Sequence, residues 1–154
     1  MAIIAEMIDR SDSITINRPV EEVFAYVTDT TNDPAWHTDI LEVRKTSEGP
    51  VGMGTKWHLG FKPFMGVSEG TAEVVAFEPN RKEVQQAVAG PMQTTLTYLF
   101  EPADGGTKFT RRVQIKMSGW MRLMQPLMRM MVPKSNAGFV ANLRRVLEQE
   151  SRRA

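Results

Sequence analysis

The stretch that most constrains this chain is its last third, Ser118 to Glu150. Apolar residues recur there at helical spacing: Trp120, Met124, Leu127, Met128 and Met131, then Phe139, Leu143, Val146 and Leu147. Arg122, Gln125, Arg129, Arg144, Arg145 and Glu148 fall on the other side. The spacing predicts one long amphipathic helix, either continuous or broken once, and such a helix must bury its apolar stripe against something. Pro126 and Pro133 fall on its polar stripe, where they would bend it around its support, convex to solvent. Five of the eleven methionines lie between Met121 and Met131.

Everything upstream reads as strands with a short helical insert. Ser13-Ile14-Thr15-Ile16-Asn17 alternates as a strand that could extend back to Ile4. Pro19 suits a first helical turn, Glu21 and Glu22 complement its dipole, and Val20, Val23, Phe24 and Val27 form one stripe. Pro34-Ala35-Trp36 reads as a second, shorter helical turn. Further strands are predicted at Leu41–Arg44, Met53–Phe61, Thr71–Phe77, around Val84–Val88, around Leu96–Phe100 and over Thr107–Met117, with a hairpin signal at Asp104-Gly105-Gly106. Short connections favour an antiparallel meander. The expected class is therefore α+β: a seven-stranded curved antiparallel sheet, two short helices after the first strand, and one long C-terminal helix over a groove. Whether side chains fill that groove or leave a cavity decides the function.

A chain of 154 residues fits one domain, 1–154, with a sizeable core. A net charge of +1 gives no reason to expect nucleic acid. The absence of cysteine excludes disulfides, thiolate nucleophiles and cysteine zinc sites. Glu6 and Asp9 interrupt what an export signal would need, and no apolar run approaches a membrane span, so a cytoplasmic location without stable membrane insertion is expected. The expected oligomeric state is monomer or homodimer.

The order of elements, together with particular residues, resembles the START-like, birch-pollen-allergen-like "helix-grip" superfamily. Within it, the chain is similar to the SRPBCC polyketide cyclase/dehydrase and lipid-transport group. The matching pieces are Arg18-Pro19-Val20-Glu21-Glu22-Val23-Phe24, Asp29 with Trp36 after it, Gly49-Pro50-Val51-Gly52-Met53-Gly54-Thr55, Phe77-Glu78-Pro79-Asn80-Arg81, Gly106-Thr107 and the terminal helix. They span essentially the whole chain and are structural punctuation, specific for fold and weak for activity. The resemblance implies a cavity between sheet and helix that holds a small hydrophobic or amphipathic molecule, lipid-, isoprenoid- or polyketide-like. The oxygenase branch needs cysteine and histidine clusters that this chain lacks.

Among individual residues, Arg111 stands out. Phe109 and Val113 share its phase, whereas Lys108, Thr110, Arg112, Gln114 and Lys116 lie on the other face, so alternation points Arg111 inward, with Tyr98 beside it across the hairpin. A buried guanidinium needs a partner: a carboxylate, Tyr98 or an anionic ligand group. Gln86, between Val84 and Val88, is read as a milder inward polar anchor. His58 is phased outward. His37 is either an exposed loop residue or an acid–base group near a cavity mouth. No metal site or cofactor is expected, and the GPVGMGTK stretch has the wrong spacing for a phosphate loop. The methionine cluster has three readings: core packing, which accounts for much of it, an adaptable ligand surface, or a membrane-surface helix, and the bend expected at Pro126 and Pro133 favours packing onto the sheet over lying flat on lipid.

These residues give two functional expectations. The first is a binding protein whose cavity is walled by Trp57, Phe61, Tyr98, Phe109, Trp120, Met124, Met128 and Phe139, with Arg111 and Gln86 as anchors. The second is a cofactor-independent cyclase or dehydratase, lyase-like, in which Arg111 or Tyr98 polarises a carbonyl and His37 shuttles a proton. An acid–base pair converging inside would favour the enzyme. An apolar helix face left uncovered would favour an interaction or membrane-surface role.

Overall fold

The computed structural model describes residues 7–153, with side chains described through 149; the expected extension of the first strand to Ile4 lies outside them. Seven strands form one antiparallel sheet: β1 (Ile8–Ile16), β2 (Ile40–Lys45), β3 (Lys56–Phe64), β4 (Val67–Glu78), β5 (Lys82–Ala89), β6 (Met92–Ala103) and β7 (Gly106–Met117). Their spatial order is β1-β7-β6-β5-β4-β3-β2, a meander from β2 to β7 with β1 added beside the last strand. Between β1 and β2 lie helix α1 (Val20–Thr28) and a 3-10 turn, Thr30–Ala35. A second 3-10 turn, Gly119–Met124, leads into helix α2, Gln125–Arg153.

The β6–β7 hairpin is set by the two-residue Asp104-Gly105 loop, with Ala103 opposite Gly106 and Gly105 at φ 76°. Gly106 cannot be replaced cheaply, because a Cβ there would stand 2.2 Å from the Ile16 carbonyl oxygen. That close approach seats the end of β1 directly against the start of β7. Register shifts in the β2–β3, β3–β4 and β4–β5 pairs supply irregularities that bend the other side. The C-terminal part of α2 is tied to the β1–α1 connection by Arg18 Nε donating to the Leu147 carbonyl at 3.1 Å and the Asn17 amide donating to Glu148 at 2.9 Å.

Two expectations about phase are corrected. The buried side of the C-terminal segment is Met121, Val132, Phe139, Val140, Leu143 and Leu147, with Met124 and Met128 half-buried, while Trp120, Leu127 and Met131 lie outside. The break explains the shift: a 3-10 turn advances three residues per turn, not 3.6, and Pro126 marks the first turn of the α-helix that follows. On β5 the inward residues are Glu83 and Gln85, whereas Gln86 and Val88 are exposed. Register decides this, since Glu83 pairs with buried Tyr98 and Val88 pairs with exposed Gln93. Hydrophobicity alone favours the opposite phase because two polar side chains point into the interior.

Two apolar clusters result. One gathers Ile16, Val23, Phe24, Val27, Trp36, Tyr98, Phe100 and Phe109 under Phe139, Val140, Leu143 and Leu147. The other joins Ile8, Val113, Ile115, Met117, Met121 and Val132. Leu96 packs against both.

Candidate functional site

A line of side chains crosses the concave face of the sheet, starting in the first cluster at Phe77 and Tyr98 and reaching Arg111 and Asp12. In register, Phe77 lies opposite Glu83, Glu83 opposite Tyr98, Tyr98 opposite Arg111, and Arg111 opposite Asp12. Directly opposed residues share a face, so these five side chains form one row across β4, β5, β6, β7 and β1. The adjacent position along β5 on the same face is Gln85, also buried. A polar belt therefore runs through the middle of the interior.

Helix and turn close over this belt. Asn136 of α2, 1% exposed, accepts a hydrogen bond from the Arg111 guanidinium through Oδ1. Its Nδ2 donates to Asp12 Oδ2 at 2.7 Å and to the Arg111 carbonyl at 3.0 Å. One asparagine thus holds the buried cation, its backbone and a neighbouring carboxylate. At the far end, Gln85 Nε2 donates to Glu83 Oε1 at 2.9 Å and to Thr30 Oγ1, on the 3-10 turn, at 3.1 Å. Asp33, buried on that same turn, and His37 just beyond it complete the set. The His37 ring stacks on Phe139 at 3.9 Å between centroids, and the Arg111 guanidinium carbon stands 5.3 Å from the centre of the same Phe139 ring.

Burial sets the protonation of these groups. The Glu83 carboxyl is pushed up to about 7 by desolvation, with the Gln85 hydrogen bond opposing the shift. Asp33 is raised well above the usual carboxylate range by burial; the Arg111 charge pulls it down, and Glu83 and Asp29 push it further up. Burial also raises the Tyr98 hydroxyl. His37 is partly exposed as a residue, yet its stacked ring has a buried Nδ1, and desolvation followed by the Arg111 charge lowers its pKa well below the ordinary value. At neutral pH the interior holds the Arg111 cation, neutral Tyr98 and His37, and a Glu83 carboxyl poised between acid and anion.

Several of these groups have bonding capacity to spare. Asp33 Oδ1, Glu83 Oε2, Arg111 Nε, Trp36 Nε1 and Trp57 Nε1 are buried and find no hydrogen-bond partner among the described residues. Native interiors leave few such atoms, because each costs about 1–3 kcal/mol.

Of the residues proposed from the sequence, Trp57, Tyr98, Phe109, Arg111 and Phe139 are buried and Phe61, Met124 and Met128 are half-buried. The structure separates two from them: Gln86 is on the outer face of the sheet, and Trp120 is 50% exposed. Sequence reasoning missed Asp33, Glu83, Gln85 and Asn136. Asn136 carried a readable signal, as the one polar residue in helical phase with Val132, Phe139 and Leu143. Glu83 becomes legible only once β5 is registered against Tyr98. Among the described residues, no group of three or more His, Asp or Glu side chains is placed to hold a metal ion.

A long helix gripped by a curved seven-stranded antiparallel sheet defines the helix-grip class of α+β protein. Residues 7–148 match the family model described as polyketide cyclase / dehydrase and lipid transport, and the chain belongs to that family. No curated protein matches it. Among solved structures it is similar to TTHA0849 from Thermus thermophilus, with 14% identity, a TM-score of 0.76, and coverage of 93% of this chain and 99% of that one. The di-domain ARO/CYC StfQ of the steffimycin biosynthetic pathway aligns with 13% identity and a TM-score of 0.73, over 94% of this chain and 52% of StfQ. Ara h 8.0201 aligns with 21% identity and a TM-score of 0.66, over 92% of this chain and 99% of the other. These likenesses are of fold.

Proposed function

We propose that the chain acts as a single unit that binds a small amphipathic molecule, lipid-, isoprenoid- or polyketide-like, between the sheet and α2. The observation that carries this reading is the set of unpartnered buried polar atoms on the belt and beside it, Asp33 Oδ1, Glu83 Oε2, Arg111 Nε and Trp36 Nε1. A ligand bearing hydroxyl or carbonyl groups satisfies them: Asp33 and Glu83 meet its donors, and Arg111 and Trp36, whose ring packs edge-on against Tyr98, meet its acceptors. The aromatic and thioether side chains on either side, Phe109, Phe139, Met124 and Met128, take its apolar body. Apolar burial at roughly 25 cal/mol per Å² makes micromolar binding attainable without covalent chemistry. Native mass spectrometry of protein purified from its own host tests this, with a co-purified lipid or aromatic metabolite as the expected result. A bare protein mass, together with no quenching of the buried tryptophans by polyphenolic or fatty-acid probes, would count against binding.

A second reading, a cofactor-independent cyclase or dehydratase, is favoured by one observation. Glu83, Tyr98 and Arg111 lie side by side, an acid near neutral pKa next to a hydroxyl and a fixed cation. Arg111 and Tyr98 would polarise a substrate carbonyl, and Glu83 would deliver or take the proton. Incubation with polyketide thioesters separates the two readings. Turnover above a buffer blank that Glu83→Gln abolishes supports catalysis, and unchanged substrate supports binding alone.

A further inference from the structure

β2 (Ile40–Lys45) is an edge strand of the sheet, with β3 on one side and no strand on the other. Its ladder shows which main-chain groups are left over. The Thr46 amide donates to the Lys56 carbonyl, so 46 and 56 form a hydrogen-bonded pair. Such pairs alternate along an antiparallel ladder. Arg44 with His58 and Glu42 with Gly60 therefore bond across to β3, whereas Val43 and Lys45 turn their N–H and C=O groups to the open side. No hydrogen bond from a described residue reaches those groups there. The 3-10 turn that packs beside β2 lies on the concave face, where Thr30 accepts a bond from Gln85 of β5. The other edge strand, β1, packs against α2.

The side chains decide what this edge can accept. Glu42 and Arg44 share the outer face, in the opposite phase to buried Trp57 on β3. Both are exposed, and neither forms an ion pair among the described residues. Glu42 rests against Gly60, which has no side chain to hold it there. Two copies of β2 paired antiparallel about a two-fold axis at Val43 set Val43 against itself as a hydrogen-bonded pair. The same axis sets Glu42 of each copy against Arg44 of the other, at the positions where opposed side chains come closest. Other two-fold registers that keep the outer faces on one side fail on charge. An axis at Glu42 opposes two carboxylates, one at Arg44 two guanidinium groups, and one at Lys45 two ammonium groups. Charge on an edge strand ordinarily discourages pairing. This edge discourages every such register but one. The net charge of +1 adds little repulsion between copies.

We propose that two copies of this chain associate edge to edge through β2, in antiparallel register centred on Val43, so that the sheet of one copy continues into the other. Leu41, the extra residue of the β2 bulge and 59% exposed, then lies beside the aliphatic stem of Lys45 of the second copy. A junction of one short strand buries less than the roughly 1,000 Å² of a lasting dimer, so the association is weak and concentration-dependent. The interior of each copy takes no part in it.

Analytical ultracentrifugation of the full chain over a concentration series tests this, with the weight-average mass expected to rise from 17.4 kDa towards twice that value. Glu42→Arg and Arg44→Glu should each weaken association at least about tenfold, because each turns two attractive pairs into two repulsive ones. The swap Glu42→Arg/Arg44→Glu should restore it, as should an equimolar mixture of the two single variants. Both positions are exposed, so the melting temperature of the dilute protein should not change. A monomer at every concentration overturns the proposal. So does a dimer that ignores both single reversals, which places the contact elsewhere on the surface. Loss in the single variants without rescue by the swap or the mixture overturns it too, because the register is then wrong.

Discussion

The two ends of the C-terminal segment obey opposite rules. From Phe139 to Leu147 the large apolar residues Phe139, Val140, Leu143 and Leu147 face inward, and Arg144 and Arg145 face water. From Trp120 to Met131 large apolar residues occupy both sides, and over half of them are exposed. The sheet beneath shows the converse anomaly, with Glu83, Gln85, Arg111 and Asn136 buried more completely than many of the hydrophobic residues around them. Stability alone asks for neither. Polar groups inside cost desolvation, and apolar groups outside forgo burial. Such departures concentrate where a protein meets something else. Here one departure is internal, in the polar belt, and the other is external, on the Trp120–Met131 segment.

Variants can break that contrast, and the largest effect is expected inside. Arg111→Met removes the cation that Asn136, Asp12 and Phe139 surround, and should cost about 3 kcal/mol in urea-induced unfolding together with ligand affinity. If stability and affinity are both unchanged, the belt is not held as described.

Glu83→Gln probes the pH dependence. Because the folded Glu83 titrates at about 7 against an ordinary 4.5, the folded state holds its proton more tightly than the unfolded state. Its contribution is fully present below about pH 4.5 and is lost as pH rises through about 7. By linkage the difference amounts to about 3 kcal/mol. His37 acts in the opposite sense: its depressed folded pKa contributes stability present above about 6.5 and lost as pH falls. The wild-type profile mixes these with Asp33, whose raised pKa acts in the same sense as Glu83, so the Glu83 effect is read as the difference between wild type and Glu83→Gln. That difference should vanish if Glu83 is solvated.

Asn136→Ala leaves Arg111 and Asp12 without their shared partner and should cost about 2 kcal/mol, measured by thermal or denaturant unfolding. The smallest effect on stability belongs outside. Leu123→Ser, at an 83% exposed position, should change the unfolding free energy by less than about 0.5 kcal/mol, measured by urea denaturation. A large loss of stability there would mean that the outer stripe packs against the protein itself.

The strands were legible because alternation and turn chemistry agree along most of the chain. Asp104-Gly105 sets the β6–β7 register, and that register makes Tyr98 the neighbour of Arg111. The inward phase of Arg111 could be read because Phe109 and Val113 flank it on an otherwise polar strand. Glu83 and Gln85 were hidden by the same logic. A hydrophobicity rule applied to Lys82–Ala89 prefers Val84 and Val88 as the inward pair and so promotes Gln86. The outer stripe was hidden because Trp120 to Met131 is apolar on two sides, and a pattern apolar on two sides does not specify which one is buried.

By itself the sequence determined the order of elements, the antiparallel meander and the need for a long C-terminal helix, since these follow from local periodicity and turn residues. Only the tertiary structure decided which face of β5 and which face of the Trp120–Met131 segment point inward. Those choices depend on register with neighbouring strands and on the 3-10 to α transition at Gln125, which are set by contacts far apart in the chain.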